Sequence, residues 1–391
     1  AQFAGITGAQ LGAMSTTQFD ALSSTVLADL QTAQLAGITA AQFASLTTTD
    51  FTALTSTIVS SLAVTQLKAL NTTNVGALQT VQLAGLSASQ LGSFFSTQIN
   101  ALSQGAFESI GTAQIKGLTA SVISGITTTH INQLSSTTID AMLTTQVRSL
   151  TTTQLGNLTT TTLAALNTTQ LGSMTTTQLR SINTINVAAL STNQLGGLTA
   201  AQISGLTTTQ LNALSTDAIA SLDLTQIAGL TAAQLGSLST TNFSALQPTQ
   251  FAVLTATQLA GMTATELGLL SAGQFATLST VQLRGLTAGQ FGNLSSTQLD
   301  ALTSDQVNAL TATQLNAVSA TNFRTLSTNQ LQGLTQTVIG GLTTTELNAL
   351  TAAAVTGLST TQLDLMTPVQ LGGVSATFFG ALSSTQLGGY T

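Results

Sequence analysis

Few residues in this chain could do chemistry. It has one histidine, His130, and no cysteine, so neither a metal site built from two histidines of one chain nor a thiolate site can form. His130 stands in the run Thr127-Thr128-Thr129-His130-Ile131, with no acid or base beside it. The 12 acids and 6 bases are scattered singly along 391 residues. Asp217 lies near Asp223 and Asp300 near Asp305, but two carboxylates hydrolyse a glycoside only across a cleft that holds the sugar between them. Lys68, Lys116, Arg148, Arg180, Arg284 and Arg324 form no basic patch, so the electrostatic footprint of a nucleic-acid binder is missing. The pairs Gly196-Gly197, Gly340-Gly341, Gly372-Gly373 and Gly388-Gly389 lack the strand-loop-helix setting of a phosphate cradle. A catalytic site requires convergent titratable groups. The sequence therefore predicts no catalytic, cofactor-binding or metal-binding residue, and a protein that is not an enzyme.

The bulk composition explains what positions such residues. Charged residues make up 5%, against about 25% in an ordinary soluble protein, and Thr, Ser, Gln and Asn supply nearly all the polarity. A chain this poor in charge has little repulsion to keep it soluble, so its apolar groups belong inside a regular structure or an assembly. No apolar run approaches the roughly 18 residues needed to span a bilayer. The lack of cysteine excludes disulfides and suits an extracellular bacterial protein. Asn-x-Ser/Thr sequons at Asn71, Asn157, Asn167, Asn242 and Asn293 are expected by chance in a chain so rich in Thr. O-linked glycans on Thr are the more plausible modification.

The organising feature is an eight-residue repeat. Every eighth residue from Ile6 (Met14, Leu22, Leu30 and on to Leu382 and Tyr390) is apolar, 49 times in succession. Every eighth residue from Phe3 (Leu11, Phe19, Leu27 and on to Phe379 and Leu387) is apolar as well. No insertion or deletion breaks the phase, and the unit reads Leu-(Thr/Ser)-x-x-Gln-Leu-x-x. Loops tolerate insertions, so an array without any has no free loop, and each unit meets its neighbours alike.

An octad fits neither a continuous helix nor a continuous strand. Eight residues overshoot two helical turns by about 80°, which winds the apolar columns round every side. The alternating spacings of 5 and 3 break the strand period of two. A short capped helix fits each column. The position after the first leucine holds Ser, Thr, Asn or Asp in 42 of 49 octads, the residues that cap a helix N-terminus. Three residues later, 33 of 49 octads hold Gln or Glu, which completes a capping box. The apolar residues flanking these two, such as Ile6 with Leu11 or Leu230 with Leu235, form a hydrophobic staple. Pro248 and Pro368 both fall on the first helical position, where the missing amide costs nothing. Of 33 glycines, 28 occupy the two positions before the next leucine, where a short helix ends and glycine eases the turn.

The predicted fold is therefore an all-α solenoid of short capped helices, one per octad, running as a single continuous array over residues 1–391. A helix this short needs stacking for its stability. The small residues around the Leu11 column permit close approach. A β-solenoid is the alternative, since Thr, Leu and Ile suit strands, although it leaves the proline register unexplained. The octads look alike, so the number per solenoid turn stays open. At helix spacings of about 8–10 Å, two or three octads per turn would give a rod on the order of 100–250 Å. The chain opens inside a unit at Ala1 and stops on the cap residue Thr391. It is expected to be a segment of a longer array, or a protomer associating end to end or side by side.

The Leu-Thr-x-x-Gln-Leu unit resembles the Thr/Ser-rich octapeptide arrays of very large bacterial surface and adhesin-like proteins, over the whole chain. That resemblance implies an extracellular or cell-surface location and a structural rod or filament. The alternative function is an adhesive repeat surface for sugars, cells or ice.

Overall fold

The structure is a computed structural model that describes residues 5–364 and 366–388. Ala1, Phe3, Gly389, Tyr390 and Thr391, named above, lie outside the described residues. Among the described residues the chain is all-helical, with 48 helices of four to six residues and no strand. None of these helices is long and apolar enough to cross a membrane. Residue contacts divide the chain into two compact units, Ala1–Leu198 and Thr199–Thr391, built in the same way.

Each octad folds as its columns predict. The cap residue is extended, as at Thr39 (φ −77°, ψ 154°), and the helix follows at once. The Thr39 hydroxyl oxygen accepts the Gln42 amide at 3.3 Å, while Gln42 Oε1 accepts the Thr39 amide at 2.8 Å. Both prolines open helices, at Pro248–Ala252 and Pro368–Gly373. The leucine before the next cap closes the helix by donating its amide three residues back, as from Leu206 to Ile203 at 3.1 Å. Such tight bonds use carbonyls that a longer helix would have bonded internally.

The octads wind three to a turn. In the first unit, helix Ala40–Ser45 packs on Val64–Ala69, and in the second, Ala256–Ala260 packs on Thr280–Gly285. One turn thus takes three octads, or 24 residues. Both leucine columns point inward. Helix leucines such as Leu67 and Leu211 are fully buried, and corner leucines such as Leu54 and Leu254 nearly so. Burial of such a side chain contributes about 1.5–3 kcal/mol. Summed over neighbours, this stabilises helices that could not form alone.

The glycines act differently from the expectation of turn formers. Among the described residues no glycine has a positive φ, and the helices end in right-handed or extended conformations. The corner turns because the leucine and the cap are both extended, which any residue can adopt. At some positions glycine is instead required by close approach between turns. A β-carbon added at Gly76 would lie 2.9 Å from the Ala101 carbonyl oxygen, and one at Gly172 would lie 2.8 Å from that of Gly197. At Gly92 and Gly117 it would overlap backbone outright.

Candidate functional site

The polar group that recurs throughout this fold is the glutamine column, and the structure gives it more to do than capping. Gln146 is 2% exposed. Its Oε1 accepts the amide of Leu143 at 2.8 Å, and its Nε2 donates to the carbonyls of Ile115 and Leu118, both at 2.7 Å. Those carbonyls belong to the end of a helix one turn earlier. The same pattern recurs at Gln42 with Leu11 and Met14, at Gln290 with Leu259 and Met262, and at Gln370 with Ile339 and Leu342. One carboxamide therefore starts a helix with its oxygen and closes another with its nitrogen. It has two N–H donors and an acceptor oxygen, whereas an ionised Glu only accepts and a hydroxyl donates once, as Thr138 does to the Ile110 carbonyl at 3.1 Å.

The cap column depends on this. Seven octads carry Gln31, Ala63, Gln79, Phe95, Gly111, Leu143 or Gln247 at the cap, where no side chain bonds the first turn. All seven hold Gln three residues later, and all seven keep the bond to the cap amide, as from Ala63 to Gln66 at 2.7 Å. The sequence already carried this signal in its exceptions.

Each residue singled out for chemistry takes a place in the repeat. His130 replaces glutamine, with Nδ1 2.7 Å from the Thr127 hydroxyl and Nε2 3.4 Å from the Leu102 carbonyl oxygen, to which it donates. Its ring meets Phe107 edge-on at 4.6 Å. Asp223 is a helix cap, accepting the Gln226 amide at 2.8 Å, while Asp217 sits exposed in the first turn of the preceding helix. Asp300 ends the helix Ser296–Asp300, and Asp305 lies in the first turn of Ser304–Asn308. Glu266 and Glu346 are buried in the glutamine column and bond their own caps, Thr263 and Thr343. Among the described residues no three His, Cys, Asp or Glu side chains gather as a metal-holding group.

The six basic residues all lie at helix ends. Lys68, Arg148, Arg180 and Arg284 occupy last turns, and Lys116 and Arg324 are C-caps, where the helix dipole favours a cation. Lys68 also stands 5.0 Å from the centre of the exposed Phe95 ring. Most phenylalanines are buried core, including Phe43, Phe251 and Phe291. The sequon asparagines are engaged: Asn242 is buried, Asn71 and Asn167 cap helices, and Asn157 and Asn293 donate to Thr153 and Gly289. An open cavity of about 320 Å³ lies in the second unit, lined by Arg284, Asn308, Thr335, Thr337 and Val338 among others.

Together these features define a tandem-repeat protein whose units are helical solenoids with three octads to the turn. Two stretches, residues 183–216 and 280–312, match the ALTTAQ repeat family. Among curated proteins, none matches this sequence.

Proposed function

We propose that this chain is a non-enzymatic structural element, one continuous octad array that serves as an extended extracellular rod or filament at a bacterial surface. The observation that carries this reading is the use made of the polar residues. The Thr and Ser of the cap column and the Gln column are spent on caps and on bonds between successive turns, and they repeat without an interrupting loop. The register passes residue 198 without insertion, in support of one array. The resemblance to octapeptide arrays of bacterial surface proteins supports the location. Electron microscopy of the purified protein over a range of concentrations tests the reading. Elongated particles that lengthen or bundle with concentration are expected, whereas compact round particles at every concentration would refute it.

One observation favours the adhesive alternative, namely the cavity at Arg284, Asn308, Thr335 and Thr337, which offers a guanidinium, an amide and hydroxyls to an oxygen-rich ligand. Titration with neutral and acidic saccharides tests it, with Arg284→Ala as the control. Ice binding is not part of this proposal, because a flat Thr ladder needs strands and the described residues contain none.

A further inference from the structure

The corner position just after the helix leucine is variable, yet it holds Asn six times: Asn100, Asn132, Asn212, Asn308, Asn316 and Asn348. In every case the residue 27 positions later is a cap, and the residue 30 positions later is not Gln. Those residues are His130, Thr162, Asn242, Val338, Glu346 and Phe378. The structure supplies the reason for five of the six. Asn100 Oδ1 accepts the Thr127 amide at 3.0 Å, and Asn132 does the same for Thr159. Asn212, Asn316 and Asn348 take the amides of Ser239, Thr343 and Ser375 at 2.7, 3.1 and 2.7 Å. Each of the five also donates through Nδ2 to a carbonyl 25 residues ahead, Gly125, Asn157, Ser237, Gly341 and Gly373 in turn. Asn308 instead borders the open cavity with Thr335 and Val338.

In an octad with Gln, the cap amide belongs to that Gln. In these octads it belongs to an Asn one turn earlier. The two acceptors compete for one amide, and the sequence supplies no octad with both. We propose that Asn132, Asn212 and Asn348, whose flanking caps all give their amides to Gln, are register keys, which specify that turn n+1 stacks on turn n at 24 residues and at no other offset. Near-identical octads otherwise make a slip by one unit almost free. With the key, a slip would bring Asn212 opposite the cap of the octad before or after, Thr231 or Gln247, whose amides Gln234 and Gln250 already hold. The Ser239 amide would lose its bond to the Asn212 oxygen, and the net stabilisation of that bond with it.

Octad insertion tests the proposal. A copy of residues 231–238 placed after Leu238 separates Asn212 from Ser239 and sets Ala220 at the key position instead. A copy of residues 255–262 placed after Met262 separates no Asn from its cap. The first insertion is expected to lower the thermal midpoint by several degrees and to speed hydrogen exchange at the Ser239 amide tenfold or more. The second is expected to leave the midpoint within about one degree. Adding Asn242→Gln to the first insertion supplies a local acceptor and should restore slow exchange at Ser239. Equal costs for the two insertions, or no rescue by Asn242→Gln, would overturn the proposal.

Discussion

Replacing Gln146 by Met isolates what the glutamine column contributes. Methionine has similar length and volume but cannot bond. Its cap residue is Leu143, so no hydroxyl stands by to take over. The Leu143 amide and the Leu118 carbonyl lose this partner outright, while the Ile115 carbonyl loses one bond and keeps the Leu118 amide at 3.1 Å. Ile115 and Leu118 are at most 3% exposed, so water does not readily replace the side chain. Each bond is worth about 0.5–1.5 kcal/mol net, and each group left buried and unpaired costs about 1–3 kcal/mol. Two unpaired groups and one lost bond, partly relieved by relaxation, come to roughly 2–4 kcal/mol. The control is Thr151→Ala, which removes a cap hydroxyl while Gln154 keeps the cap amide, at about 1 kcal/mol. Solenoids are stabilised locally, so the assay is urea unfolding combined with hydrogen exchange at the Leu143 amide. Gln146→Met should shift unfolding several times further than Thr151→Ala and speed Leu143 exchange by orders of magnitude. A loss no greater than that of Thr151→Ala would show that the glutamines are ordinary caps and that the bonds between turns carry no net stability.

Other substitutions test the remaining parts of the repeat. Thr199→Ala, Thr207→Ala and Ser215→Ala should each cost about 1 kcal/mol in urea unfolding, and Thr209→Ala, at an exposed position inside the first turn, much less. Glu266→Gln should stabilise by about 1 kcal/mol, since it restores a donor where neighbouring octads donate to two carbonyls of the previous turn. Gly76→Ala and Gly268→Ala change the same helix-end column in opposite directions. The first drives a methyl into the Ala101 carbonyl and should lower the thermal midpoint. The second meets nothing within 4 Å and should raise stability by about 0.5–1 kcal/mol. Matching signs for the two glycines would contradict the close-approach account.

The local structure of this protein was legible in its sequence because helix starts are local. A cap, its reciprocal Gln and a proline at the first helical position lie within four residues of one another, and the backbone obeys them at Thr39, Asp223 and Pro368 alike. One histidine and scattered acids also led to the expectation that no titratable constellation forms. The winding was not read from the columns. An eight-residue period looks the same whether two, three or four units make a turn. The number is set by geometry at a distance: how far Nε2 of Gln146 reaches toward Leu118, and how closely Gly76 must pass Ala101. Only the exceptions in the sequence encode that number. Where Gln gives way to Asn242, an Asn stands 27 residues before the cap Ser239, and that spacing is one turn plus the path from corner to cap. The glycines show the same division. Their place at helix ends was plain from the sequence, but which of them are required was decided by the neighbouring turn, which leaves no room for a β-carbon at Gly76, Gly92 or Gly117 and ample room at Gly268.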